Sequence, residues 1–378
     1  MKVLVVNQHA NNFGDEAAGA ALVQNLLQLS EIECIELLYC MPGYIPINDN
    51  RVIHNHDLNV RTFRRIEFLK YIFTGKAEGA FLPCFLKKLK EYDCVVVSPC
   101  GANLGIYKDW QLLFQDLTVV KNRKRLIFHL NTISPSGNYL FDKLVIKLCR
   151  KSEVYVREKA SYDYLMKNHV NVRLGTDSAF SLKSQNKIIA TEKRIVFVPS
   201  DVWSWHVDFK GKSRQDYEEN VIKPLADFAY KYNMEVTILP HTNTNQEMKF
   251  NKMTKELLKK QNQNVSVNIV SVTSVYDYEN IIRSAYIVIG MRYHTIVFAV
   301  KNAIPFLAIS YEQKIVEVSC YSRMDRYCMK LKSAMDLQMF SEKLNEVYLN
   351  HDKIRNELSE ISKKIMDKSL IVIHEQFN

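Results

Sequence analysis

Three side chains suited to holding an anion, Arg292, His294 and Lys314, stand just past two short apolar runs, Ile287 to Ile289 and Pro305 to Ile309. If those runs are neighbouring parallel strands, the helical stretch from about Thr295 to Lys301 is their crossover, and both strand ends open on one edge of the sheet. Gly290 allows a tight exit from the first strand. Arg292 and His294 then sit at a helix start, where backbone N–H groups add to the positive potential, and Lys314 follows the second strand. Such a place suits an anion carrying phosphate and carboxylate: arginine for a bidentate contact, lysine as a point charge, and histidine as a group that holds and gives a proton near neutral pH.

Other candidates share the same kind of position. Arg157 ends an apolar run in EVYVREKAS, and Asp177 lies in the loop LGTDSAF. Asp15 falls in the first turn of a helix after VVNQHANNFG, where capping and substrate binding use the same geometry. Asn103 lies in VVVSPCGANLG, a strand running into a turn of small residues that let a ligand approach the backbone.

The elements that must position these residues alternate along the chain. Short runs rich in Val and Ile are separated by longer amphipathic stretches, the pattern of helices covering both faces of a parallel sheet. Strands are expected at Val3 to Val6, Cys34 to Tyr39, Cys94 to Val97, Arg125 to Leu130 and Val154 to Val156. A second set is expected at Ile195 to Val198, Glu235 to Leu239, Val267 to Val270, Ile287 to Ile289 and Phe306 to Ile309. This is an α/β chain of two Rossmann-like domains, 1–185 and 190–345, followed by a helical segment, 346–378. Its boundary falls near the polar stretch 182–194, and a ligand crevice between the domains is expected at strand carboxyl ends.

Composition narrows the class. The chain has 378 residues, 47% of them hydrophobic, enough for two ordinary cores. No apolar stretch approaches the length of a membrane span, and the opening MKVLVV is cut short by Asn7, Gln8 and His9, so a cytoplasmic protein is expected. The eight cysteines form no C-x-x-C pair and read as buried thiols. His54 and His56 offer two ligands without a third, so no metal site is expected. The formal charge of +10 asks for an anionic partner. No nucleic-acid-binding motif accompanies it, so phosphorylated small molecules and anionic membrane surfaces fit better than nucleic acid.

The pieces NNFGDEA, VYVREKAS, LGTDSAF, GMRYHTIVFAV and PFLAISYEQK occur in an order and spacing that resemble the polysaccharide pyruvyl transferases. The resemblance covers roughly residues 3 to 320 and is most specific in the G-x-R-x-H segment and the Tyr311-x-x-Lys314 segment. It implies a fold similar to GT-B glycosyltransferases, phosphoenolpyruvate as donor and no cofactor. The implied acceptor is a sugar of a cell-surface polysaccharide or its lipid-linked precursor, converted to a ketal. By matching segments, Arg157, His294 and Lys314 look like the donor-site residues, with Gly290, Arg292, Tyr311, Asp15, Asn103 and Asp177 around the substrates. PCGANLG and NTISPSG depart from the family's glycine run and Gly-Pro pair, which leaves the acceptor open. The same two-domain plan also serves glycosyltransferases that use nucleotide sugars and would serve a silent glycan-binding protein.

One further stretch, NVRTFRRIEFLKYIF at 59–73, has Phe63, Ile66, Leu69 and Phe73 at helical spacing beside Arg61, Arg64, Arg65 and Lys70. The stripe reads either as ordinary core packing or as a peripheral docking face for an anionic inner leaflet.

Overall fold

The computed structural model describes residues 1–10, 12–184 and 193–377, and it divides the chain into two units. The first comprises Met1–Asn11, Asp15–Lys183 and Asp367–Asn378, and the second Asn12–Gly14 and Ser184–Met366. Most of the stretch 182–194, where the sequence placed the boundary, lies outside the described residues. The final helix is shared between the units at Met366, whereas the sequence suggested a separate helical segment.

In the first unit the strands are β1 (Lys2–Gln8), β2 (Cys34–Tyr39), β3 (Val52–Asn55), β4 (Cys94–Val97), β5 (Arg125–Asn131), β6 (Glu153–Val156) and β7 (Val172–Leu174). They form one parallel sheet in the order β3-β2-β1-β4-β5-β6-β7. Its helices are α1 (Phe13–Leu26), α2 (Arg65–Thr74), α3 (Leu82–Glu91), α4 (Trp110–Lys121), α5 (Tyr139–Cys149) and α6 (Lys159–Lys167). The central strands are apolar on both faces because helices cover both, so Val3 to Val6 and Val95 to Val97 are all buried.

The second unit repeats the plan. Strands β8 (Arg194–Val198), β9 (Glu235–Ile238), β10 (Val267–Ile269), β11 (Ile287–Gly290), β12 (Phe306–Ser310) and β13 (Cys328–Lys330) are parallel in the order β10-β9-β8-β11-β12-β13. Around them lie α7 (Val202–Trp205), α8 (Gln215–Tyr217), α9 (Lys223–Lys231), α10 (Asn245–Gln261), α11 (Val275–Arg283), α12 (Tyr293–Lys301), α13 (Gln313–Tyr321), α14 (Ala334–Gln338), α15 (Phe340–Leu349) and α16 (His351–Phe377). In each sheet the strand order reverses direction once, between β1 and β4 and between β8 and β11. The carboxyl ends of those strand pairs are where ligands of such sheets bind. The ten expected strands are all present; β3, β7 and β13 are additional, and each is a short, partly exposed edge or near-edge strand.

The thiols differ in part from expectation: Cys84 and Cys320 are exposed, and none of the eight is in a disulfide. His129, in β5, is buried with its Nδ1 2.7 Å from Gln376 Oε1, and burial pushes it down to about 4. The unfolded chain takes up a proton at this histidine near pH 6.5, which the folded unit resists until about pH 4. Its contribution is therefore constant above pH 6.5 and is lost as pH falls through that window, by about 3 kcal/mol in all. Thermal melts between pH 7.5 and 4 should show this decline, with a shallower slope in His129→Gln. Parallel slopes for the two proteins would rule out His129 as the titrating group.

Candidate functional site

The second unit gathers most of the expected residues at the β8/β11 switch point. β11 ends at Gly290, Arg292 occupies the N-cap position of α12, and His294 lies buried in that helix's first turn. Gly290 has no positive φ; it is needed because a Cβ there would lie 2.8 Å from Ile296 Cδ1 and 3.0 Å from Thr295 Cγ2, so the helix packs directly on the strand end. Lys314 stands in the first turn of α13, after β12. Its Nζ pairs with Glu312 at 2.8 Å and lies 5.9 Å from the centre of the Tyr293 ring.

The segment Asn12–Gly14 completes this site from the far end of the sequence. Asn12 bridges to Thr242, and Phe13 stacks on Tyr278 with ring centres 5.3 Å apart. A Cβ at Gly14 would fall 1.9 Å from His294 Nδ1, so only glycine lets this backbone lie against the imidazole. The cap of α1 is Asn12, whose Oδ1 accepts from Gly14 N at 3.0 Å; Asp15, already inside the first turn, does not serve as the N-cap.

Four residues that the motif reading missed hold the arrangement. His241 follows β9 and is buried, with its ring nearly parallel to that of His294, centres 6.4 Å apart. Its Nδ1 is 3.2 Å from the Tyr278 hydroxyl, which meets the Thr295 hydroxyl at 2.7 Å. Burial, followed by the charges of Arg292, His294 and Lys314, holds His241 well below the ordinary imidazole range, so it stays neutral beside them. Glu247, in the first turn of α10, accepts from the backbone N–H groups of His241 at 2.5 Å and Thr242 at 3.2 Å. Its other oxygen takes the Arg292 guanidinium at 3.0 Å.

Burial pulls Arg292 down, but Tyr311 and Glu247 outweigh it, so the guanidinium remains firmly charged. Trp205 lies over Arg292 at 5.9 Å and meets Tyr311 edge-on at 5.8 Å. A cavity of about 120 Å³ opens here, lined by Asp201, Trp205, Thr244, Glu247 and Arg292 among others.

The remaining expected residues belong to the first unit. Arg157, after β6, is buried and bonded to Asp177 at 2.7 Å, with Glu158 3.5 Å from its Nε. Glu158 in turn accepts from the Thr132 hydroxyl at 2.8 Å. Asp177 also accepts from Ala179 N at 2.8 Å, fixing the loop that carries it. Asn103 reaches His9 Nε2 at 3.3 Å, and burial lowers His9, against the raising field of Asp15. Glu16, beside Asp15 in α1, is pushed up to about 7 by burial.

At the sheet's carboxyl edge both β1 and β5 break register around residues in the left-handed region, Asn7 at φ 59° and Leu130 at φ 54°. Such a conformation costs about 1–2 kcal/mol for a non-glycine residue and is kept where the surroundings over-determine it. Here Asn7 and Asn131 both donate to Cys100 Sγ, at 3.3 and 3.4 Å.

Two parallel α/β units of this strand order, with cations gathered at a switch point, define a GT-B-like class, and comparison with solved structures agrees on the fold. A UDP-GlcNAc 2-epimerase from Neisseria meningitidis, bound to UDP-GlcNAc, is similar over 99% of both chains, with TM-score 0.60 and 13% identity. A glycosyltransferase from Rickettsia africae is similar over 99% of this chain and 97% of its own, with TM-score 0.62 and 10% identity. The UDP-GlcNAc 2-epimerase of Methanocaldococcus jannaschii covers 90% of this chain and 92% of its own, with TM-score 0.58 and 11% identity. These likenesses concern the fold alone. No curated protein matches the chain. The sequence profile described as polysaccharide pyruvyl transferase matches residues 12–313, and the chain belongs to that family.

Proposed function

We propose that the protein transfers pyruvate from phosphoenolpyruvate to two hydroxyls of one sugar, in a cell-surface polysaccharide or its lipid-linked precursor, forming a ketal. The observation that carries this reading is the buried imidazole of His294 set among Arg292, Lys314 and neutral His241 at the β8/β11 switch point. Transfer requires protonation of the donor's methylene carbon, which leaves an oxocarbenium-like centre at C2. One sugar hydroxyl adds to C2, and the second displaces phosphate there, the C2–O bond breaking with its electron pair on phosphate. Two hydroxyl protons are released and one is consumed at the methylene carbon, so the other leaves with phosphate.

His294 is the proton donor in this scheme. Arg292, oriented by Glu247 and Trp205, and Lys314 hold the donor's carboxylate and phosphate, and Arg157 is assigned to the same donor. Tyr311 and Gly290 shape the donor side; Asp15, Asn103 and Asp177 are assigned to the substrates from the first unit. Neutral His241 adds no further cation beside His294. No cofactor and no metal enters the scheme. A lipid-linked precursor as acceptor would bring the enzyme to the anionic inner face of a membrane.

The test is mass spectrometry of a panel of nucleotide-linked and lipid-linked sugars incubated with phosphoenolpyruvate, looking for the pyruvyl increment less water. Lys314→Ala should raise the donor concentration needed for half-maximal rate about tenfold or more, since a charge-assisted contact contributes roughly 1.5–3 kcal/mol. The rival reading, glycosyl transfer from a nucleotide sugar, takes over if such a sugar binds tightly and phosphoenolpyruvate has no effect.

A further inference from the structure

The stretch carrying α2 divides its apolar residues between two faces. Phe63, Phe68 and Tyr71 are buried against the first unit's core, Phe68 stacking on Phe114 with ring centres 4.4 Å apart. Ile66 and Phe73 are 62% and 81% exposed, and Leu69 and Ile72 are exposed as well. Ile66, Leu69 and Phe73 follow one another at steps of three and four, so they share an outward face with Ile72 at its margin. Core packing therefore claims one side of the helix and, of the stripe Phe63, Ile66, Leu69 and Phe73, only Phe63; the other three lie on the exposed half.

Charge identifies what that half fits. Arg64, Arg65, Lys70 and Lys76 are all exposed along the same helix and its ends, Lys70 on one flank of the apolar face and Arg65 on the other. Of the two carboxylates nearby, Glu67 accepts from Arg64 N at 3.2 Å in the helix cap, and Glu78 pairs with Lys70 at 2.7 Å, an exposed pair of the weak kind that Lys70 can exchange for a lipid phosphate. An apolar face flanked by cations is the pattern of a helix lying in the interface of an anionic bilayer. No helix among the described residues is long and apolar enough to cross one.

We infer that α2 docks the first unit on an anionic lipid surface, with Ile66, Leu69 and Phe73 entering the headgroup boundary and Arg64, Arg65 and Lys70 facing lipid phosphates. The inference extends the reading of a lipid-linked acceptor. It is tested without donor or acceptor, so that either reading can fail while the other stands.

The full chain is cosedimented with vesicles of phosphatidylcholine alone and of phosphatidylcholine with one quarter phosphatidylglycerol. Binding is expected only with the anionic lipid and should fall as salt rises. Arg64→Gln, Arg65→Gln and Lys70→Gln together should weaken it on the order of a hundredfold, at about fivefold per charge. Ile66→Ser with Phe73→Ser should weaken it at least tenfold, while leaving the melting temperature and turnover of a soluble acceptor unchanged, because neither side chain packs in the core or lies in the site. Absence of vesicle binding, equal binding to neutral vesicles, or indifference to both sets of substitutions overturns the inference. So does a dimer in solution that Phe73→Ser dissolves, since the face would then belong to a second copy of the chain.

Discussion

His294→Ala is expected to fold normally and to lose turnover by a factor on the order of a hundred to ten thousand, the usual contribution of a positioned proton donor. The fold should tolerate the change. His294 lies in the first turn of α12 beside the Gly14 backbone, while the N-cap position belongs to Arg292, so truncation opens space without removing the residue that caps the helix. The effect should appear in the maximal rate more than in the donor concentration for half-saturation, because Arg292 and Lys314 remain to hold the anion. His294→Gln, which keeps a polar group without a transferable proton, should be nearly as slow. A folded His294→Ala protein turning over near the wild-type rate would remove the histidine from the chemistry.

His241 serves as the internal comparison. Its ring is nearly parallel to that of His294, and burial first, then the fields of Arg292, His294 and Lys314, hold it well below the ordinary imidazole range. A neutral His241 bonded to Tyr278, and through it to Thr295, predicts that His241→Gln, which keeps a polar partner for Tyr278, costs less turnover than His294→Gln.

The central strands were legible because burial on both faces leaves an uninterrupted Val and Ile run, as in Val95 to Val97 and Ile287 to Ile289. β3, β7 and β13 were not, since a partly exposed strand near a sheet edge needs no apolar run; VIHN and CMK carry no such signal. The Arg292, His294 and Lys314 grouping could be read from position after strand ends alone. The role of Gly14 could not, because its constraint comes from His294, which no local pattern near residue 14 announces. The sequence does carry a signal for Glu247: Thr244 caps α10 with Glu247 three residues on, shortly after a strand and His241. Trp205 and the φ 54° of Leu130 depend on tertiary packing, which a single sequence does not encode locally. The stripe Phe63, Ile66, Leu69 and Phe73 had a helical period, but whether it faced core or solvent stayed open, since periodicity shows that a helix has sides without showing which side is covered; Phe63 is buried and the other three are exposed.

Arg157→Ala is expected to destabilise the first unit by about 3–5 kcal/mol, the cost of breaking a buried ion pair by removing one partner. Both members are deeply enclosed, Arg157 3% exposed and Asp177 fully buried, and they meet at 2.7 Å. Without the guanidinium, the Asp177 carboxylate stays in place because Ala179 N still donates to it, and it has then lost the buried charge that faces it at 2.7 Å. The single change should therefore cost more than its charge alone suggests. Removing Asp177 as well should recover part of the loss, since the double variant buries neither charge, and a double-mutant cycle of urea unfolding measures that coupling. This sets a condition on any donor-binding role for Arg157. Loss of response to phosphoenolpyruvate in Arg157→Ala means nothing about the donor unless the unit is still folded. Arg157→Lys, which keeps the charge opposite Asp177 but not the planar fork, is the better probe: it should stay folded and require more donor if the fork grips a carboxylate or phosphate. An Arg157→Ala protein within 1 kcal/mol of wild-type stability, allowing the usual rough scale for a dispensable surface pair, would show that the Asp177 pairing is not structural.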